Sequence, residues 1–250
     1  MHSFLRSALA LSFSLILLSG PLPARAAASS ASPSLTAHVE ELRLAPRQAA
    51  ARADRRAFVA PPPCEDRAYN LEGGRWTSTY QWWFRASSTP SRLGKRAAEA
   101  AIKRGVANIT KARNDCGRAD GVSAKQSYRG RTSAKPSCSR TDGRNVIGFR
   151  PLAADVAARA CWWISGNRIV EADIQVNSDI GWATSLAGCA GELMLEAVLT
   201  HEAGHVFGLA HVGESRHGRL TMSPYIDGTC NNQEATLGLG DMRGLEALYP

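Results

Sequence analysis

Three histidines set the strongest constraint on this chain. His201 and His205 are four residues apart, and His211 follows six later with Gly208 between them. Residues at i and i+4 share one face of a helix, so the first pair requires a helix. The third can join them only if the helix stops and the chain doubles back, and glycine tolerates the positive φ of such a stop. Neutral imidazole binds zinc at about 2.0–2.1 Å, and three protein ligands leave the fourth tetrahedral position open, as in a catalytic rather than a structural site. Glu202, next to the first histidine, can lean over the metal without ligating it. Such a pattern of five residues arises by chance in roughly one in 10⁵ chains of this length, so it is read as a site. The alternatives are histidines on a wet helix face, or a zinc kept only for stability.

The N-terminus reads as an address. The apolar run Ala8–Leu18 follows Arg6 and is broken by Gly20, Pro21 and Pro23, and Ala24-Arg25-Ala26 offers an A-x-A cleavage site. The run is too short for a typical spanning helix and suits a signal peptide over residues 1–26. Residues 27–63 are rich in Ala, Arg, Ser and Pro and end in Pro61-Pro62-Pro63, which reads as a linker or short propeptide. Within them, Leu35–Leu44 is amphipathic and is expected to be helical. Residues 64–250 form the expected globular domain.

Six cysteines, at 64, 116, 138, 161, 189 and 230, lie beyond the cleavage site without a C-x-x-C pair. In an exported chain this reads as up to three disulfides with unassigned connectivity. One alternative stays open: Cys64, by its position, could cap a metal site in a latent precursor.

Hydrophobic periodicity places the elements. Trp76–Phe84, Ser123–Tyr128 and Asn145–Phe149 read as strands. Cys161–Ile164 and Ile169–Val176 read as a hairpin turning at Gly166-Asn167. Val170, Ala172, Ile174 and Val176 alternate with Glu171, Asp173 and Gln175, giving one buried face and one polar face. Ala98, Ile102, Val106 and Ile109 mark one helix, Glu192–Gly208 a second and Leu237–Tyr249 a third. Trp82, Trp83, Trp162 and Trp163 are read as core and edge packing rather than a carbohydrate platform.

The net charge of +8 falls to +6 once Arg6 and Arg25 leave with the address. The excess basic residues lie in 64–190 and are scattered, without a dense run or interleaved aromatics. They read as a solvated face, and no nucleic-acid partner is expected.

His201-Glu202-Ala203-Gly204-His205-Val206-Phe207-Gly208-Leu209-Ala210-His211 resembles the H-E-x-x-H-x-x-G-x-x-H signature of the metzincin zinc endopeptidases. Leu220-Thr221-Met222-Ser223-Pro224 is similar to the Met-turn of that clan. Met222 with Pro224, and the run Gly240–Tyr249, most resemble the matrixin (matrix metalloproteinase) branch. Glu171-Ala172-Asp173-Ile174 and Trp182 resemble the last sheet strand before its active-site helix. The chain departs from family patterns in several places. Pro224 stands where astacin-like and serralysin-like members carry an extra Tyr ligand, and Tyr225 follows it directly. His38 and His217 are isolated, so a second zinc is not expected. The propeptide motif P-R-C-G-x-P-D is absent around Cys64.

The resemblance implies an α+β fold of the zincin or metzincin kind, with a twisted mixed β-sheet, an active-site helix and a C-terminal helix. It implies a secreted zinc-dependent endopeptidase with one catalytic Zn2+ on His201, His205 and His211. Glu202 would be the general base, Gly208 the turn glycine and Met222 the apolar base of the site. Calcium finds no support in the sequence. The expected substrates are proteins or peptides, an extended one adding to the Cys161–Ile164 strand at the rim of the cleft. No stable membrane association is expected after signal cleavage, and the chain is read as a monomer. The competing readings are a catalytically silent secreted binding protein that keeps its zinc, and another zinc hydrolase such as an amidase.

Overall fold

The computed structural model describes residues 34–45, 60–226 and 228–250. The expected signal peptide and its cleavage site lie outside them. In chain order the strands are β1 (Leu35–Leu44), β2 (Asn70–Leu71), β3 (Tyr80–Phe84), β4 (Gln126–Arg131), β5 (Asn145–Arg150), β6 (Val156–Ser165), β7 (Arg168–Asn177), β8 (Trp182–Ala183), β9 (Leu193–Met194), β10 (Leu209–Ala210) and β11 (Tyr225–Ile226). The helices are α1 (Lys95–Thr110), α2 (Leu195–Val206), α3 (Glu214–His217) and α4 (Leu239–Leu248). This is the expected α+β class, with a mixed sheet, a histidine-bearing helix and a C-terminal helix.

The sheet is organised by the β6–β7 hairpin, which turns where Gly166 takes φ of +64°. Seven strands run in the order β11-β1-β6-β7-β5-β3-β4. β7, β5, β3 and β4 are mutually parallel, whereas β6 is antiparallel to both β7 and β1. Ala172, Ile174 and Val176 of β7 enter the core with Trp82, Phe84, Ile147 and Trp162.

Leu35–Leu44 is a correction. It is a strand, not a helix, and from Leu35 to Arg43 it pairs with β6. The edge of β6 supplies a full ladder of backbone partners, and that tertiary pairing overrides a helical spacing carried by few large apolar residues.

The polar face of β7 is buried as well. Glu171, Asp173 and Gln175 lie under the segment from Ser133 to Arg144, which turns its backbone toward them. Asp173 accepts from the amides of Ser137 (2.6 Å) and Val146 (2.5 Å). Glu171 accepts from Asp142 (2.8 Å) and Gly143 (2.6 Å), and Gln175 donates to Pro136. A segment without regular structure can cover a sheet because these carboxylates satisfy its amides. Cys138–Cys161 ties it to β6. The other disulfides are Cys64–Cys116 and Cys189–Cys230. Cys64 is therefore a disulfide partner and not a free metal cap.

All twelve residues of α2 are buried. It crosses α1 so closely that a Cβ on Gly105 would lie 2.6 Å from Cβ of Leu199. Glu196 is held by Arg104 (2.5 Å), Arg113 (3.3 Å) and Asn108 (3.2 Å). At the other end, Trp76 Nε1 donates to the Val206 carbonyl and the Tyr249 hydroxyl to that of Phe207. These bonds satisfy carbonyls that a helix end leaves without partners, and they give the Leu-Tyr ending of α4 a structural task.

Burial, opposed by its two backbone hydrogen bonds, lifts the pKa of Asp173 from 3.8 to about 8. A raised carboxyl pKa means that the fold binds a proton the unfolded chain has lost. Its contribution to stability is complete below about 3.8 and is lost as pH rises toward 8. Melting temperatures of the wild type should therefore fall relative to Asp173→Asn between pH 4 and pH 8. Parallel curves in calorimetry would contradict this assignment.

Candidate metal centre

Helix α2 presents His201 and His205 one turn apart, with their Nε2 atoms 3.1 Å from each other. The helix then stops at Gly208, where φ is +93° and an added Cβ would lie 2.3 Å from the Gly74 carbonyl oxygen. Only glycine fits such a position. Beyond it, Leu209 and Ala210 pair with Leu71 and Asn70, and this short ladder returns the chain to the helix. His211 arrives with its Nε2 atom 3.1 Å from that of His201 and 3.0 Å from that of His205. Thus the three histidines singled out by their spacing are brought together.

Each ring is fixed from behind. Nδ1 of His201 lies 2.6 Å from the Thr221 carbonyl, and that of His205 lies 2.9 Å from the Leu209 carbonyl. A carbonyl only accepts, so these two Nδ1 atoms carry the hydrogen and the Nε2 lone pairs face the common point. Nδ1 of His211 lies 3.2 Å from the Glu40 carboxylate. Trp162 stacks on His205, with ring centroids 5.8 Å apart and planes within 5°. Burial holds the rings neutral, pushing His201 down to about 3 and His211 to about 4, with His205 also well below the usual range. Three converging lone pairs that cannot donate to one another suit a cation. The nitrogens are ready to bind it without losing protons.

Glu202 follows His201 in α2 and is fully buried, and neither carboxylate oxygen has a hydrogen-bond partner. Its pKa is pushed well above the carboxylate range, mainly by burial and further by Glu41 and Glu40. The backbone at Leu42 and Ala160 opposes the shift. A buried carboxylate without partners is costly, and an enclosed base is a specific reason to keep one.

Below the rings, Met222 fills space that Gly204 leaves. A Cβ at 204 would lie 2.3 Å from the Met222 Sδ. The turn bearing Met222 is anchored by Asp241, whose carboxylate accepts from the amides of Thr221 (3.0 Å), Met222 (3.3 Å) and Gly238 (2.9 Å). Asp241 therefore connects the start of α4 to the carbonyl that orients His201.

Residues 154–250 match the family model for matrixin, peptidase M10. This part of the chain is a matrixin-like metzincin. The matched segment contains the three histidines, Glu202, Met222 and α4. Matrixins bind zinc, so zinc is the cation the cluster would hold, and peptide or protein chains are the substrates the family implies. A comparison with curated proteins found no match.

The residues that sequence reasoning missed are Gly204, Asp241 and Glu40. Gly204 occupies an unspecified position of the motif, and its role depends on a methionine eighteen residues away. Asp241 lies within the predicted C-terminal helix, and its partners at 221 and 222 are far from it in sequence. Glu40 lay in a segment read as linker or propeptide. His38 stacks on Trp162, and His217 contacts Asp66 at 2.9 Å, so neither joins the cluster.

The turn glycine offers a direct test. Gly208→Ala should lose at least about 2 kcal/mol of stability, from positive φ and the backbone clash together. Gly213 has φ of −72° and open space around its Cβ direction. Gly213→Ala should stay within about 0.5 kcal/mol of wild type. Denaturant unfolding of both variants measures the contrast, and equal losses would remove the special role of Gly208.

Proposed function

We propose that the protein is a secreted zinc-dependent endopeptidase with His201, His205 and His211 as metal ligands and Glu202 as general base. The observation that carries this reading is the convergence of three Nε2 atoms beside a buried carboxylate without hydrogen-bond partners. When bound, zinc supplies Lewis acidity, which polarises a carbonyl and lowers the pKa of water.

The chain's own residues supply the rest. Glu202 takes a proton from the attacking water and passes it to the departing amide nitrogen. The carbonyls of Thr221 and Leu209 hold two rings in one tautomer, which keeps both lone pairs aimed. Met222 is an apolar floor that touches no substrate. Three disulfides among the described residues fit an oxidising compartment, and a signal peptide over residues 1–26 would deliver the chain there. The unpartnered Glu202 also argues against a silent zinc scaffold, in which nothing would maintain that cost.

Glu202→Ala should retain close to one zinc per chain and lose casein hydrolysis by about 10²–10⁴-fold or more. A chelator should abolish the wild-type activity, and added zinc should restore it. Full activity in the variant, or in metal-free protein, would refute the scheme.

A further inference from the structure

The basic residues are scattered along the sequence, but the fold gathers four of them. Lys135, Arg140, Arg150 and Arg159 line one cavity of about 730 Å³. Its walls are the covering segment from Ser133 to Asp142, the end of β5 at Arg150, and the neighbouring strands at Arg159 and Gln175. Among the described residues Asp142 is the one acid in this lining, and its Oδ1 already accepts from the Arg144 amide at 3.0 Å. Lys135, Arg140 and Arg150 take part in no ion pair among the described residues. Nε of Arg159 is shielded from solvent and makes no hydrogen bond. The Glu41 carboxylate stands 3.6 Å from it, beyond hydrogen-bond reach. A donor cut off from water without an acceptor is costly. A carboxylate engaging the whole guanidinium fork would remove that cost.

The cavity is held open by its surroundings. The covering segment gives amides to Asp173 and Glu171 on its sheet side, and Gln175 donates to the Pro136 carbonyl. Cys138–Cys161 pins the segment to β6. With the backbone fixed, the cations stay around one concavity, which focuses a positive potential that a bound anion relieves.

Its position relates it to the metal centre. Side chains alternate along β6. Trp162 stacks on His205, whereas Cys161 joins the covering segment. Arg159 shares the face of Cys161, so the cavity and the histidines lie on opposite faces of one strand. An extended chain covers about 3.3–3.6 Å per residue, so one protein substrate can occupy both with a few residues between.

We propose that this cavity is an exosite for a carboxylate-rich segment of a protein substrate, bound while a neighbouring segment lies in the cleft. The substrate part rests on the peptidase reading above, and the binding part does not. The planar fork of arginine matches a carboxylate in two hydrogen bonds, and Glu41 already sets a carboxylate beside Arg159 at the rim.

The test uses the full chain loaded with zinc and a fluorescein-labelled hexaglutamate peptide, followed by anisotropy. The peptide should bind, and more weakly as salt rises. Arg140→Glu combined with Arg150→Glu should weaken binding by at least about tenfold. Lys95→Glu combined with Arg96→Glu, at exposed positions opening α1, changes the net charge equally. That control should stay within about threefold of wild type. Equal losses in the two variants, or no binding at all, would overturn the proposal. So would heparin binding that depends on Arg140 and Arg150 while hexaglutamate does not bind, because the cavity would then take sulfated polysaccharide.

Cleavage gives the second readout. A casein-derived peptide is compared with the same peptide carrying a hexaglutamate tail on a short glycine spacer. The tail should lower KM by at least about fivefold with little change in kcat. The Arg140 and Arg150 reversal should erase that gain and leave cleavage of the untailed peptide unchanged. A tail without effect on KM, despite hexaglutamate binding, would overturn the exosite role. If neither peptide is cut while binding still follows Arg140 and Arg150, the peptidase reading fails and the exosite role with it, and the site for acidic segments stands.

Discussion

Three imidazole nitrogens within about 3 Å of one another repel unless a cation lies between them, and the surrounding structure serves to hold them there. Helix α2 cannot tilt, because it is buried on every side and crosses α1 at the distance only Gly105 permits. Its C-terminal carbonyls are tied by Trp76 and Tyr249. The exit at Gly208 fixes where His211 returns, and the Met222 turn supplies the carbonyl that orients His201. Moving any one of these supports by an ångström would separate lone pairs that no hydrogen bond holds together.

The buried carboxylates divide into two kinds. Glu171, Asp173, Glu196 and Asp241 each accept two or more hydrogen bonds, and each organises backbone or side chains at a distance from the histidines. Glu202 accepts none. Desolvation raises the pKa of Glu171, Asp173 and Asp241 as it does that of Glu202, so the shift alone does not separate structural from chemical roles. The presence or absence of partners does, and by that criterion Glu202 stands apart.

Much of this was legible in the sequence because it is local. The i, i+4 pair, the glycine exit and the third histidine lie within eleven residues, and helix geometry carries them to one point. The β6–β7 hairpin and α4 were legible for the same reason, through alternation, a turn dipeptide and an amphipathic stripe. What remained hidden depends on distant partners. The polar residues of β7 looked like a face for solvent, yet an irregular segment covers them by spending its amides on Glu171 and Asp173. Gly204 and Met222 are meaningful only as a pair. β1 was hidden most deeply, because its stability comes from the edge of β6 and not from its own composition.

That dependence describes how β1 is held. β6 is long, largely buried and flat in sequence, and without a neighbour it would be an exposed hydrogen-bonding edge of the kind proteins usually protect. β1 protects it with backbone pairing and a single buried leucine, and most of its other side chains remain exposed or half-exposed. Such a strand is held by its ladder more than by its core contacts, so any extended peptide of similar pattern can compete for the same edge. Glu40 makes the arrangement specific to the metal centre. With burial as the larger cause, it helps raise the pKa of Glu72 to about 7, and it adds negative charge beside His211. A carboxylate held against a neutral histidine cluster gains from a divalent cation bound there. The strand and the metal are therefore expected to stabilise one another.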